Sequence, residues 1–165
     1  MAKKPCSSCL FLWETGAGRG YDRRLMETKY PLDTAAKLFP AVSRRTNTSV
    51  YRISAILKEE VCVETLQQAA RDTLKRYPAF AVKLTSTSFD QYFEPNDAPF
   101  FVKHEVEYPC ALMKPEENNG YLFLILYYGN RISLEAFHAL ADGAGAVEFL
   151  KTLLYRYFTL RGEKI

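Results

Sequence analysis

The chain has 165 residues, of which 48% are hydrophobic and 25% are charged, and its net charge is +3. This length is enough for one domain with a core and too short for two ordinary domains. The lysines and arginines are scattered, so we expect no nucleic-acid partner. No apolar run approaches the roughly 18 residues that span a bilayer, and the apolar stretch 10–13 is too short for a signal peptide. The sequence therefore predicts a cytoplasmic protein without a membrane span.

The four cysteines are expected to stay reduced in that compartment. Cys6 and Cys9 form a single CxxC, which is a weak zinc signal without a second pair. Cys62 and Cys110 are distant and have no ligand-like spacing. No metal site is predicted.

Residues 1–28 are predicted to form a flexible N-terminal arm, and residues 29–165 a single folded lobe. The arm is rich in Gly, Arg and Ser, and its GAGRG run at 16–20 follows no predicted strand and opens no helix. Met26 begins METKYPLDTAAKLFPA, which has the character of a domain start. We hypothesise that the natural chain starts at Met26.

In residues 50–58 apolar and polar side chains alternate, which predicts a strand with one buried face. Residues 63–77 repeat apolar side chains at three- and four-residue spacing, which predicts a helix that ends before Pro78. Strands are predicted at 80–84, 91–94 and 100–106. The apolar run 121–128 predicts a central strand buried on both faces, and the Gly129-Asn130 turn pairs it with a strand at 131–137.

A last helix is predicted from 144 to 158, with Val147, Leu150, Leu154 and Phe158 facing the core. The resulting order of elements predicts an α/β fold, with helices layered on a mixed β-sheet.

The segment EAFHALADGAGAVEFLKTL at 135–153 joins the last strand to the last helix. His138 and Asp142 lack a third ligand for a metal site. A Ser-His-Asp triad would need a GxSxG elbow, which the sequence lacks. DGAGA is also not the GxGxxG of a dinucleotide site.

An imidazole at the end of a strand can act as a general base toward a hydroxyl or an amine. Asp142 can then cap the following helix or pair with a buried cation. Gly143 and Gly145 would let the backbone turn sharply and a ligand approach closely. The alternative is a polar turn without catalytic function, and spacing alone leaves both interpretations open.

The hexapeptide HALADG, which contains His138, Asp142 and Gly143, matches the HxxxDG motif of the CoA-dependent acyltransferase superfamily. This superfamily includes chloramphenicol acetyltransferase, condensation domains and alcohol acetyltransferases. YPLDTAAKLFPA, LQQAARDTLKRYPAFAVKL, QYFEPN and NRISLEAFHALADGAGAVEFLKTLLYRYF together resemble the alcohol-acetyltransferase-like branch. The likeness runs from Tyr30 to the C-terminus.

The resemblance implies a two-layer, chloramphenicol-acetyltransferase-like lobe with His138 as general base and with Asp142 and Gly143 as structural support of the site. The co-substrate would be acetyl-CoA or another acyl-CoA, the acceptor a small alcohol or amine, and no cofactor would be permanently bound. Phe137 stands where peptide-condensing members have a second histidine. Lys83 lies near the position of an arginine that pairs with the motif aspartate in condensation domains.

The resemblance covers only the N-terminal lobe of two-lobed enzymes that are more than twice as long. Three explanations stay open: an excised half whose reading frame continues past Ile165, a homo-oligomer, and a lobe completed by a complementary C-terminal lobe. The leading hypothesis is therefore an acyltransferase or its base-bearing half. The second is a catalytically silent lobe that binds a partner protein or an acyl ligand.

Overall fold

The computed structural model describes residues 30–32, 40, 43, 48–86 and 90–163. The predicted arm at 1–28, with its CxxC, lies outside these residues. The elements in chain order are β1 Tyr30–Pro31, β2 Val50–Ile56, α1 Val63–Arg76, β3 Val82–Ser86, β4 Gln91–Pro95, β5 Lys103–His104, β6 Phe123–Tyr128, β7 Arg131–Phe137 and α2 Gly143–Leu160. Within this part of the chain, neither helix combines the length and hydropathy needed to cross a bilayer.

The larger sheet has the strand order β2-β7-β6-β5. The pairs β2/β7 and β6/β7 are antiparallel and β5/β6 is parallel, so the sheet is mixed. The predicted hairpin is confirmed: Tyr128 pairs with Arg131 across the Gly129-Asn130 turn. Gly129 has φ 54°, a left-handed conformation that glycine adopts with little cost.

Helices α1 and α2 pack together on one face of this sheet and enclose the main core. The sheet supplies alternate residues of β6 and β7 to that core, as the two-residue period of a strand requires. The core side chains that are fully buried include Leu66, Ala69, Ala70, Phe123, Ile125, Ile132, Ala136, Phe149, Leu153 and Tyr157. The predicted α/β class, with a mixed sheet and helices on one face, is confirmed.

Strands β1, β4 and β3 form a second sheet, in that order. The order of elements predicted a single mixed sheet, and the structure corrects this, because β1, β3 and β4 do not pair with the larger sheet. A second apolar cluster includes residues from the small sheet and from the open end of the β6–β7 hairpin, opposite its turn. Its buried members are Leu32, Val82, Leu122, Phe137 and Ala139. This cluster therefore lies where β7 ends.

The predicted strand at 100–106 is wrong for most of its length, because only Lys103–His104 pairs with β6. Gln67 of α1 explains the difference. Its side-chain amide donates to the carbonyl of Phe100 at 2.8 Å and accepts from the N–H of Val102 at 2.9 Å. A helix side chain thus satisfies backbone groups that a longer strand would have paired in the sheet.

The predicted core face of α2 is also partly wrong. Leu150 is buried as predicted, and Leu154 and Phe158 are partly buried against the core. Val147 is only partly buried, whereas Phe149, Leu153 and Tyr157 are fully buried. Apolar side chains occur around most of this helix, so two overlapping faces share the three- and four-residue spacing. Packing against α1 and the sheet selects between them.

The sheet face opposite the helices carries a cluster of four charges. Arg52 and Glu135 are direct cross-strand partners, and the guanidinium lies 2.6 Å from the carboxylate. Glu105 accepts from Arg52 at 2.7 Å and from Arg131 at 2.9 Å. The side chains of Arg52, Glu105 and Glu135 are only 14%, 12% and 3% exposed. Two positive and two negative charges balance, as nearly buried ions require.

Acid should weaken the fold through this cluster. The hydrogen bond from Arg52, with that from Arg131, holds the pKa of Glu105 below its usual range. A carboxyl whose folded pKa is lowered stabilises the fold above its unfolded pKa of about 4.3, and this contribution is lost as pH falls through the folded pKa. In urea unfolding between pH 7 and pH 3, Glu105→Gln should lower the free energy of unfolding at pH 7. The free energy of unfolding of this variant should then decrease less than that of the wild type as the pH falls. Glu107→Gln, at a nearby exposed position, is the control; parallel curves for wild type and Glu105→Gln would contradict the prediction.

The core face of α2 can be tested by truncation. Phe149→Ala should lower the free energy of unfolding by about 3–5 kcal/mol, because it removes a fully buried ring. Val147→Ala, two residues away, should cost no more than about 1 kcal/mol, since that side chain is partly exposed. Chemical denaturation measures both free energies. A larger loss of stability for Val147→Ala than for Phe149→Ala would favour the face predicted from sequence.

Candidate functional site

His138 follows β7 directly, and its two neighbours hold it in place. Phe137 and Ala139 are each 8% exposed and belong to the second apolar cluster, whereas His138 is exposed. The neighbouring side chains therefore point inward while the imidazole is accessible to solvent. This is the placement that a group meeting a diffusible substrate requires.

Backbone hydrogen bonds fix the chain around the histidine. The N–H of Phe137 donates to Leu122 at 2.9 Å, and that of His138 donates to the carbonyl of Ser49 at 2.8 Å. The N–H of Leu140 donates back to Phe137 at 2.9 Å. Ser49 has φ 52°, a left-handed conformation that is uncommon for a residue other than glycine and needs support from its surroundings. The bond from His138 gives part of that support.

Tyr51 connects the histidine to the start of α2. Its ring centroid lies 4.7 Å from that of His138, with the ring planes at 48°. Its hydroxyl lies 2.9 Å from the carbonyl oxygen of Ala141 and 2.8 Å from that of Asp142. Burial, with a smaller contribution from the Asp142 carboxylate, raises the pKa of Tyr51 to about 12. The phenol is therefore a neutral donor, shared between two carbonyls, at any ordinary pH.

Asp142 is the N-cap residue of α2. It has extended backbone angles, φ −79° and ψ 176°, and its Oδ1 accepts from the N–H of Gly145 at 2.7 Å. Of the two roles that the sequence allowed, the structure shows the helix cap. Lys83, considered above as a partner for this aspartate, lies 3.6 Å from Glu94 on the neighbouring strand. A cap bond of this kind satisfies one of the N–H groups left unpaired at a helix start.

The expectation that Gly143 and Gly145 make a sharp turn is wrong. Both lie in the first turn of α2, and neither has a positive φ. A Cβ at Gly143 would meet no atom within 4 Å, so this position is open. A Cβ at Gly145 would lie 3.3 Å from Asp142 Oδ1 and would press on the cap. Gly145 therefore leaves room for the capping carboxylate.

Two residues near the motif were missed as site residues in the sequence. Tyr51 was one of several alternating apolar residues in a strand, and no local signal distinguishes it. Glu135 offered a signal, since an acidic residue within the buried strand ISLEAF needs a partner. Among the described residues, no group of three or more His, Cys, Asp or Glu side chains is arranged to hold a metal ion. His104, on the edge strand β5, is two strands from β7.

The site therefore consists of an exposed imidazole on a well-fixed backbone, a neutral phenol beside it, and a capped helix start. Of these groups, the imidazole is the one that can accept a proton from a hydroxyl or an amine that arrives from solvent.

The cap bond predicts a measurable loss of stability. Asp142→Ala should lower the free energy of unfolding by about 0.5–2 kcal/mol, because the N–H of Gly145 loses its acceptor. Asp142→Ser should keep most of that stability, since serine is also a good N-cap residue. Thermal or urea unfolding of the three proteins measures this, and equal losses for the two variants would show that the cap bond is not the cause.

Searches with the sequence match no protein-family model and no curated protein. The structure is similar to the starter condensation domain of rhizomide synthetase RzmA, with a TM-score of 0.67 at 11% identity over 82% of this chain and 39% of that one. Another structure of that domain contains C8-CoA.

Two further solved structures share the fold. Polyketide synthase associated protein 5 from Mycobacterium tuberculosis has a TM-score of 0.55 at 18% identity, over 77% of this chain and 32% of that one. SgcC5 from Streptomyces globisporus has a TM-score of 0.56 at 15% identity, over 82% and 38%. This chain thus spans about two fifths or less of the structures that it matches. It has the fold of a single lobe of the condensation-domain and acyltransferase type.

Proposed function

We propose that this chain is an acyltransferase, or the base-bearing lobe of one, that uses His138 to transfer an acyl group from a CoA thioester to an alcohol or amine. The observation that carries the proposal is the exposed His138, anchored at the end of β7 by its two buried neighbours. The HxxxDG pattern and the fold of a condensation-type lobe support it.

In the proposed reaction the acceptor oxygen or nitrogen attacks the thioester carbonyl carbon. The imidazole of His138 takes the acceptor proton as the new bond forms. The tetrahedral intermediate then collapses, the carbon–sulfur bond breaks, and the imidazolium returns the proton to the leaving thiolate. The products are an ester or amide and free CoA. The thioester is already activated, so this reaction needs no protein nucleophile.

Acyl-CoA is proposed as co-substrate because a domain with this fold has been solved with C8-CoA. Acetyl-CoA and a small alcohol or amine acceptor follow from the resemblance to alcohol acetyltransferases. Phe137 is consistent with such acceptors, since it replaces the second histidine of peptide-condensing members with a ring buried in the second apolar cluster. We also propose a cytoplasmic location, where acyl-CoA is formed.

Because the chain spans about two fifths of the structures that it matches, we propose that a second surface completes the site. A second copy of this chain or a complementary lobe would supply it.

That the chain spans only about two fifths of the structures that it matches also favours a second candidate function. A lobe without its counterpart can bind an acyl ligand or a partner protein without catalysis. Binding of acyl-CoA that is unaffected by His138→Ala, together with no turnover by either protein, would favour this alternative.

The test of the proposed function is CoA release from acetyl-CoA and octanoyl-CoA with a panel of alcohols and amines, at several protein concentrations. His138→Ala should lower the rate by about 10²–10⁴-fold, because the reaction loses its general base. His104→Ala is the matched control, since these are the two histidines of the chain, and it should keep the wild-type rate. Equal rates for wild type and His138→Ala at all concentrations would contradict the proposal that His138 is the general base.

A further inference from the structure

We propose that Tyr51 is a positioning residue for His138: its ring sets the orientation of the imidazole, and its hydroxyl holds the motif turn against β2. This inference rests on the proposed function, because positioning matters for rate only if His138 is the base. Tyr51 is assigned no contact with substrate.

The first part of the argument is the ring contact. Tyr51 in β2 is the cross-strand partner of Ala136 in β7. Ala136 lies two residues before His138, so the side chains of both face the same side of the sheet as that of Tyr51. The imidazole packs against the phenol ring with a centroid distance of 4.7 Å. An exposed histidine otherwise exchanges among several rotamers. A ring that packs against the imidazole reduces that exchange.

The second part is the hydroxyl. It lies within 2.9 Å of the carbonyl oxygens of both Ala141 and Asp142. These carbonyls belong to the last residues before α2, so the bond joins the turn to β2. The burial that raises the pKa of this phenol also keeps it protonated. The connection is therefore present throughout the pH range in which an imidazole acts as base.

Together these contacts hold the two ends of the motif against one side chain from a neighbouring strand. The ring holds the histidine at one end, and the hydroxyl holds the carbonyl of the capping aspartate at the other. Proton transfer in the transition state depends on the position of the base, and a displacement of about 1 Å can cost up to 10²-fold in rate. A looser turn should therefore reduce kcat more than it raises KM.

The test uses Tyr51→Phe, which keeps the ring and removes the hydroxyl. Tyr77→Phe is the matched control, because the Tyr77 hydroxyl lies 2.9 Å from Thr152 Oγ1 in the middle of α2, away from the motif. Each variant loses one hydroxyl that makes two contacts, to the motif turn for Tyr51 and to α2 for Tyr77. Both should therefore show a similar decrease in Tm. Only Tyr51→Phe should lower kcat, by roughly tenfold, with KM little changed.

A second measurement is independent of activity. The chain contains two histidines, so NMR spectra of protein with isotope-labelled histidine contain two sets of ring signals. Tyr51→Phe should shift or broaden the signals of His138 and leave those of His104 in place. Because phenylalanine keeps the aromatic ring, such a change reports movement of the imidazole. Tyr77→Phe should leave both sets unchanged.

Unchanged His138 signals in Tyr51→Phe, or the same change in Tyr77→Phe, would overturn the inference. A normal kcat in Tyr51→Phe would do so as well if His138→Ala is inactive. If wild type and His138→Ala turn over equally, the proposed function fails, and the ring signals still decide whether Tyr51 holds His138.

Discussion

The antiparallel pairing of β2 with β7 is the interaction on which the rest of this lobe depends. Seven residue pairs, from Val50–Phe137 to Ile56–Arg131, set which side chains face the helices and which face away. A shift of one residue would move every side chain of β2 to the other face. Tyr51 would then leave His138, and Arg52 would leave Glu135. The core, the charge cluster and the candidate site therefore share one register.

The Arg52–Glu135 pair helps to specify that register. An ion pair that is nearly buried contributes little net stability, because both charged groups must be desolvated. Separating them would cost far more, since each would stay buried without its partner. Glu135 also accepts from the backbone N–H of Cys110 at 2.7 Å, which ties a residue with φ 58° to the face opposite the helices. The cluster thus favours one strand alignment over its neighbours.

Within this frame the HxxxDG spacing has a simple structural meaning. The first residue ends a strand and the aspartate begins a helix, so one short turn joins two rigid elements. Buried neighbours anchor the histidine on the strand side, and a cap bond anchors the aspartate on the helix side. The inter-residue spacing is thus explained by architecture, and it leaves the His138 side chain exposed at the end of the strand.

The amino-acid sequence alone determined the α/β class, most element positions and the β6–β7 hairpin, because local periodicity and turn residues encode them. A recognisable motif also identified His138 as the candidate base. The sequence did not determine the short β5, where Gln67 of α1 takes backbone partners of the predicted strand. It also predicted the buried face of α2 only in part, since apolar side chains occur around most of that helix. Only the tertiary structure brought Tyr51, 87 residues before His138 in the chain, into contact with it. That contact depends on strand register and long-range packing, which no local pattern records.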